Sequence, residues 1–313
     1  MRIAIACLVA AALLVPAAEA TFPGRNGLIA FSSAVRNRDG KIEIQVMRAD
    51  GSGRRTLTHS LADDLSPAWS PDGTRIAFHR VLYYGDGRFN IEIFVMRADG
   101  RNVRRLTNHF GDDQDPAWSP DGRSIAFART FRNTRELAVM DATGGGLRVL
   151  VPGDINGAPS WSPDGRRIAF ERAPYGFGSE IWIVRADGSG LRQLTRHRPN
   201  GPGCEVDRWP DWAPDGRTII FGRNSGNACG QSQLYTIKPD GSRLTKLGAR
   251  RLVTDVPDVP PPSGARYSPD GKSIVTVGPG GESLVILTTR GRFVRSIPVE
   301  GFATPACWQR LGS

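Results

Sequence analysis

Apolar and polar positions along this chain recur in one repeated phrase. PAWSPDGTRIAF at 67–78 returns as PAWSPDGRSIAF at 116–127, PSWSPDGRRIAF at 159–170 and PDWAPDGRTIIF at 210–221, with a weaker copy, ARYSPDGKSIVT, at 265–276. Each copy reads as a β-hairpin. A short strand ends in Trp (Tyr267 in the last copy), Pro-Asp-Gly turns the chain, and a second strand leaves through Ile-Ala-Phe. Pro presets φ and Gly accepts the positive φ the turn needs. A second hairpin follows most copies and turns on Asp-Gly: IEIQVMRADG (42–51), IEIFVMRADG (91–100), IWIVRADG (181–188) and LYTIKPDG (234–241). A fourth strand then runs into Leu-Thr, as at 104–107 and 192–195.

Four strands in roughly forty to fifty-five residues is the size of one propeller blade. Both faces of the strands are apolar, as Ile76, Ala77 and Phe78 illustrate, which suits sheets packed between neighbouring sheets. Five units carry a complete first hairpin. The sixth is divided between the termini: PACWQRL (305–311) supplies the Trp strand and PGRNGLIAF (23–31) the Phe strand. Pairing them closes a ring and removes open sheet edges. The expectation is an all-β, six-bladed β-propeller of four-stranded antiparallel blades, closed by the C-terminal strand on the N-terminal blade.

The first twenty residues read as a signal peptide rather than as structure. Arg2 precedes the apolar run Ile3–Val15, and Ala18-Glu19-Ala20 has the small–x–small pattern of a cleavage site. Cleavage is expected after Ala20, leaving 21–313 as the propeller, secreted or periplasmic. The apolar run is too short to span a bilayer, and no other long one follows. The least regular stretch, Leu252–Gly264, is expected to be a surface loop, polyproline-like over Pro260–Pro262.

The pattern P-x-W-S-P-D-G-x-x-I-A-F, then I-x-V-x-x-A-D-G and L-T, resembles the WD-repeat-like propeller repeats of the TolB family over 21–311, and Trp308-Gln309 is similar to that family's closing strand. The resemblance implies the propeller fold, export and a tendency to bind other macromolecules. It does not imply membership of the Tol–Pal envelope system, because the family's N-terminal α/β domain has no counterpart before the first blade. Similar repeats precede the catalytic domain of prolyl oligopeptidase-like enzymes, but G-x-S-x-G does not occur in this chain.

Function is expected on the face formed by the loops between second and third strands and between blades, opposite the Asp-Gly turns. Arg80, Arg129, Arg172 and Arg223 each fall two residues after the second-strand Phe, or its equivalent, and form an arc near that face. Asp64, Asp113 and Asp207 recur three residues before the blade-opening Pro, with Asn156 in the remaining case. Two readings stay open: structural Arg–Asp bridges, or an arc that binds anions, since guanidinium forks fit carboxylate and phosphate. Tyr83, Tyr84, Phe89, Phe131, Tyr175 and Phe177 lie in the same loops and are candidate interface anchors.

Cys204 and Cys229 are expected to form a disulfide, closing a loop that stabilises by about 3 kcal/mol. Cys307 reads as a buried, unpaired thiol. His59, His109 and His197 fall on different blades, too far apart for the roughly 2 Å ligand distances of one zinc. No metal site and no cofactor are expected. The formal charge of +10 bears on partners rather than fold. With export, it points to a protein or an anionic envelope polymer rather than nucleic acid. The function that follows is that of a monomeric protein-binding or scaffolding module. The competing class is a carbohydrate lyase or hydrolase, or a small-anion binding protein, using the central funnel.

Overall fold

The computed structural model describes residues 25–34, 40–174, 178–197, 206–225, 231–248, 264–301, 303 and 306–311. The leader (1–20), Pro260–Pro262, Tyr175, Phe177, Cys204 and Cys229 lie outside the described residues.

Six four-stranded antiparallel blades form the ring, the third and fourth joined by a single parallel bridge between Arg135 and Ile155. Blade one contains β1 (Arg25–Ala34), β2 (Ile42–Met47) and β3 (Arg55–Thr56). Blade two is β4 (Asp63–Trp69), β5 (Arg75–Tyr83), β6 (Phe89–Arg97) and β7 (Arg104–Arg105). Blade three is β8 (Asp113–Trp118), β9 (Ser124–Phe131), β10 (Thr134–Asp141) and β11 (Arg148–Val151). Blade four is β12 (Ile155–Trp161), β13 (Arg167–Ala173), β14 (Glu180–Arg185) and β15 (Arg192–Gln193). Blade five is β16 (Val206–Trp212), β17 (Ile219–Ser225), β18 (Gln231–Ile237) and β19 (Thr245–Lys246). Blade six is β20 (Arg266–Tyr267), β21 (Ser273–Val277), β22 (Ser283–Thr288) and β23 (Phe293–Pro298). β24 (Cys307–Leu311) then returns to blade one as its innermost strand, with Trp308 opposite Ile29 and Leu311 opposite Arg25. The ring closes as its two ends predict.

The repeated letters have local causes. In each Ser-Pro-Asp-Gly turn the Ser hydroxyl and Asp carboxylate lock the bend. Ser70 Oγ donates to Asp72 Oδ1, and the Thr74 and Arg75 N–H groups donate to Asp72 Oδ1 and Ser70 Oγ. The fourth-strand Thr completes a second motif. Thr107 Oγ1 donates to the buried Glu92 and accepts from Ile93 N, and Thr58 does the same with Glu43 and Ile44. Between blades, the Trp and Ile-Ala-Phe side chains form six apolar clusters, one at each junction of the ring. Trp118 and Trp161 also donate Nε1–H to Ala68 O and Ala117 O of the preceding blade, both at 3.1 Å. No helix among the described residues is long and apolar enough to cross a membrane.

Candidate functional site: an exposed aromatic arc over buried ion pairs

The four arginines of the arc are held by carboxylates. Arg80 grips Asp64 through Nε (2.6 Å) and Nη2 (2.8 Å), Arg129 grips Asp113 at 2.8 Å through both, and Arg223 grips Asp207 at 2.6 and 2.7 Å. Each Arg faces its Asp across β5/β4, β9/β8 or β17/β16. In blade four, where Asn156 faces Arg172, the guanidinium reaches Asp154 instead. Asn156 Nδ2 donates to the Arg135 and Gly153 carbonyls. The guanidiniums also lie over aromatic rings, Arg80 over Phe78 and Phe94 and Arg172 over Trp182. Such bidentate, stacked geometry is what an Arg fork provides, and here it ties the two inner strands of four blades beneath the loop face.

Above these pairs the loop face is apolar over blades two and three. Tyr83, Tyr84, Phe89 and Phe131 are about half exposed, Leu61 is 91% exposed and Phe110 is fully exposed. Hydrogen bonds bring them together. Asn90, next to Phe89, donates Nδ2–H to His109 O and Gly111 O on either side of Phe110. Thr130 N, next to Phe131, donates to Asp112 O. The Phe110 loop is thus pinned between two hairpin tips. A Cβ on Gly111 would stand 2.0 Å from Thr130 O, so this approach requires glycine.

The Leu61 loop repeats the arrangement one blade earlier. Asp63 accepts from Ile42 N of blade one and from the Tyr83 hydroxyl of blade two, at 2.9 and 2.5 Å. That hydrogen bond, followed by burial, pushes the Tyr83 phenol up to about 12. Lys41 Nζ lies 4.5 Å over the same ring. Leu61 and Phe110 escape a reading centred on the hairpin loops. Their signal was an apolar residue three before the second Asp of each Asp-Asp pair, in otherwise polar linkers.

A central channel of about 170 Å³ runs inside the innermost strands, walled by Trp69, Trp118, Trp161, Tyr267 and Trp308. The residues at the blade-opening bulges, Ser66, Asp115, Ala158 and Trp209, have φ of 51, 54, 45 and 52°, and Gly264 takes the place in blade six at 66°. Positive φ is strained for non-glycine residues. The bulges place polar groups on the axis. Ser66 Oγ donates to Asp115 Oδ1 and Ser160 Oγ to Asp211 Oδ1, both at 3.1 Å, and Tyr267 N donates to Asp211 Oδ2 at 2.9 Å. Asp115 N donates to His79 Nδ1 at 3.3 Å, and burial holds His79 below its ordinary value.

Nearby, burial and then the Asp115 carboxylate push the Glu171 carboxyl up to about 7, against opposing pulls from Arg208, Arg135 and the Trp209 N–H. The unfolded chain ionises Glu171 near its ordinary 4.5, so its contribution to stability is full below that pH and is lost as pH rises through about 7. Glu171→Gln is therefore expected to raise the melting temperature relative to the parent at pH 8 and to leave it unchanged below pH 4.5. Thermal melts across that range check it, and an equal shift at both ends contradicts it.

His59, His109 and His197 lie in separate inter-blade loops. His109 Nδ1 accepts from Gly111 N, and His197 Nε2 lies 2.9 Å from Ser179 O. Among the described residues no group of three or more His, Cys, Asp or Glu side chains is placed to hold a metal ion. Cys307, in the channel wall, is unpaired, and burial pushes its thiol up to about 12.

These features define a class: a six-bladed, all-β propeller with an exposed aromatic loop face and a narrow channel walled by aromatic side chains. More particularly, the chain is similar to the propellers of the TolB family. Residues 142–296 match the family model of the TolB beta propeller domain. Among solved structures it is similar to TolB from Acinetobacter baumannii, with 21% identity, 92% of this chain and 68% of that one covered and a TM-score of 0.73. It is also similar to putative TolB from Agrobacterium tumefaciens, with 19% identity, 87% and 89% covered and a TM-score of 0.62. A chain in the crystal structure of a nidogen/laminin complex is similar at 12% identity, with 92% and 100% covered and a TM-score of 0.68. None of the curated proteins compared matches the chain.

Proposed function

We propose that this chain is an exported, monomeric protein-binding module that docks a partner on the aromatic arc of its loop face. The observation that carries the reading is the cluster Leu61, Tyr83, Tyr84, Phe89, Phe110 and Phe131, held at the surface by side-chain and backbone hydrogen bonds. Large aromatics dominate binding hot spots, and rigid presentation lowers the entropy cost of docking. Similar rings occur in TolB and in the nidogen/laminin complex. Export rests on the leader pattern, with removal of residues 1–20 and a secreted or periplasmic mature chain.

The test immobilises residues 21–313 and offers an envelope extract, beside a Leu61→Ser/Phe110→Ser/Phe131→Ser variant. A defined protein is expected on the wild type, with roughly hundredfold weaker retention on the variant. Equal retention by both would place binding elsewhere.

Export also carries the proposed Cys204–Cys229 disulfide. Residues 21–313 contain three cysteines. A thiol reagent is expected to find none in the native protein, one (Cys307) after denaturation and all three after reduction. Three thiols on denaturation alone would rule the disulfide out.

A further inference from the structure

The positive charge of the molecule gathers on the face opposite the aromatic arc. Near the loop face Arg80, Arg129, Arg172 and Arg223 are matched by carboxylates. The turns between third and fourth strands are not matched in this way. Residues 238–246 place Lys238, Arg243 and Lys246 against Asp240, and residues 288–295 place Arg290, Arg292 and Arg295 with no acid at all. Blades one and two repeat a ratio of three cations to one Asp over 48–55 and 97–104. All these turns project from one end, because the third–fourth strand turn lies beside the first–second one, as Ala98 N donating to Thr74 O shows.

Part of this charge has structural work. Arg295 donates to Asp50 O and Arg192 to Asp240 O, each reaching the next blade's turn. Arg243, Lys246, Arg290 and Arg292 are exposed. Cations on an outer strand also deter edge-to-edge pairing, a role that exposed apolar neighbours do not serve. Here Phe293 and Val294 are 63% and 54% exposed between Arg292 and Arg295, and Leu244 is exposed between Arg243 and Lys246. Aliphatic and aromatic side chains interleaved with cations, at the rim of a ring-shaped end, suit a surface that is anionic outside and apolar just beneath.

We propose that the turn-side face docks on an anionic lipid bilayer. Arg243, Lys246, Arg290 and Arg292 neutralise headgroup phosphates while Leu244, Phe293 and Val294 enter the headgroup–acyl boundary. A propeller lying on its turn face points the aromatic arc away from the lipid, toward a protein partner. The two surfaces are independent, so either proposal can fail alone.

Co-sedimentation of residues 21–313 with vesicles tests it, using neutral phosphatidylcholine and a mixture holding about a third phosphatidylglycerol. Binding is expected to the anionic vesicles only and to weaken with salt. Lys246→Glu/Arg290→Glu/Arg292→Glu is expected to lose roughly a hundredfold in affinity or more. Leu244→Ser/Phe293→Ser is expected to lose roughly tenfold. Phe110→Ser is expected to bind vesicles as the parent does. Absence of binding, or equal binding to both vesicles, overturns the proposal. So does full competition by a soluble polyanion together with no effect of Leu244→Ser/Phe293→Ser, which would identify a polymer site.

Discussion

A chain ending at Gly301 is expected to lose its cooperative native fold. Its removal of β24 strips blade one of its innermost strand and exposes the edge of β1, where Ile29 and Ala30 pair with Trp308 and Cys307. Trp308, Ala303 and Ala306 leave the cluster that joins blade one to blade six through Val275, Val277 and Ile286. Gln309 leaves too, and with it the bonds from Leu28 N and to Gly73 O that tie blade one to itself and to blade two. Loss of one buried Trp alone costs about 3–5 kcal/mol. The missing strand pairing adds to that, and the sum rivals the roughly 5–15 kcal/mol that holds a typical domain together. Denaturant unfolding checks the expectation, with a peptide spanning 302–313 added in trans as the control expected to restore the transition. A truncated chain that unfolds at the parent's midpoint would show that closure does not hold the ring.

Breaking one ion pair beneath the loop face is expected to be nearly as damaging. Arg129 is largely buried and Asp113 wholly so, with two contacts of 2.8 Å and the guanidinium 5.4 Å from the Phe127 ring centroid. Arg129→Ala leaves a desolvated carboxylate without its cation, at about 3–5 kcal/mol. The double replacement Asp113→Leu/Arg129→Met removes both charges and keeps the volume, so it is expected to cost much less than the single one. Equilibrium unfolding of both variants measures the difference. A cost under about 1 kcal/mol for Arg129→Ala would mean a solvated pair, and would return the guanidinium to the pool available for anions.

Much of the fold was legible because its causes are local. The Ser-Pro-Asp-Gly lock and the Thr–Glu clasp involve residues within fifteen positions of each other, so they repeat as words in the chain. Closure was legible because two partial words at the termini complete one another. The Arg–Asp pairing was half legible. Its spacing follows from strand register, but in blade four Asp154 replaces Asn156 by adopting φ of 57°, a backbone choice that no spacing reveals.

The ionisable groups around Asp115 were not legible. His79 and Glu171 each follow a second-strand Phe and Asp115 sits at a blade-opening bulge, but the types of residue there differ from blade to blade, and the three interact only when blades two, three and four stand side by side. On the loop face, the exposed hairpin aromatics Tyr83, Tyr84 and Phe131 were legible as candidates. Leu61 and Phe110 were not singled out, because their prominence depends on inter-blade loops pinned by neighbours.

If a protein docks on the aromatic arc, a reactive group at position 110 touches that partner. A photo-crosslinking amino acid at position 110 tests that docking most directly, with the same group at exposed Arg123 on the opposite face as control. Irradiation in an envelope extract is expected to give one discrete protein adduct from position 110 and none from position 123. An adduct from 123 alone, or from neither, would contradict the account.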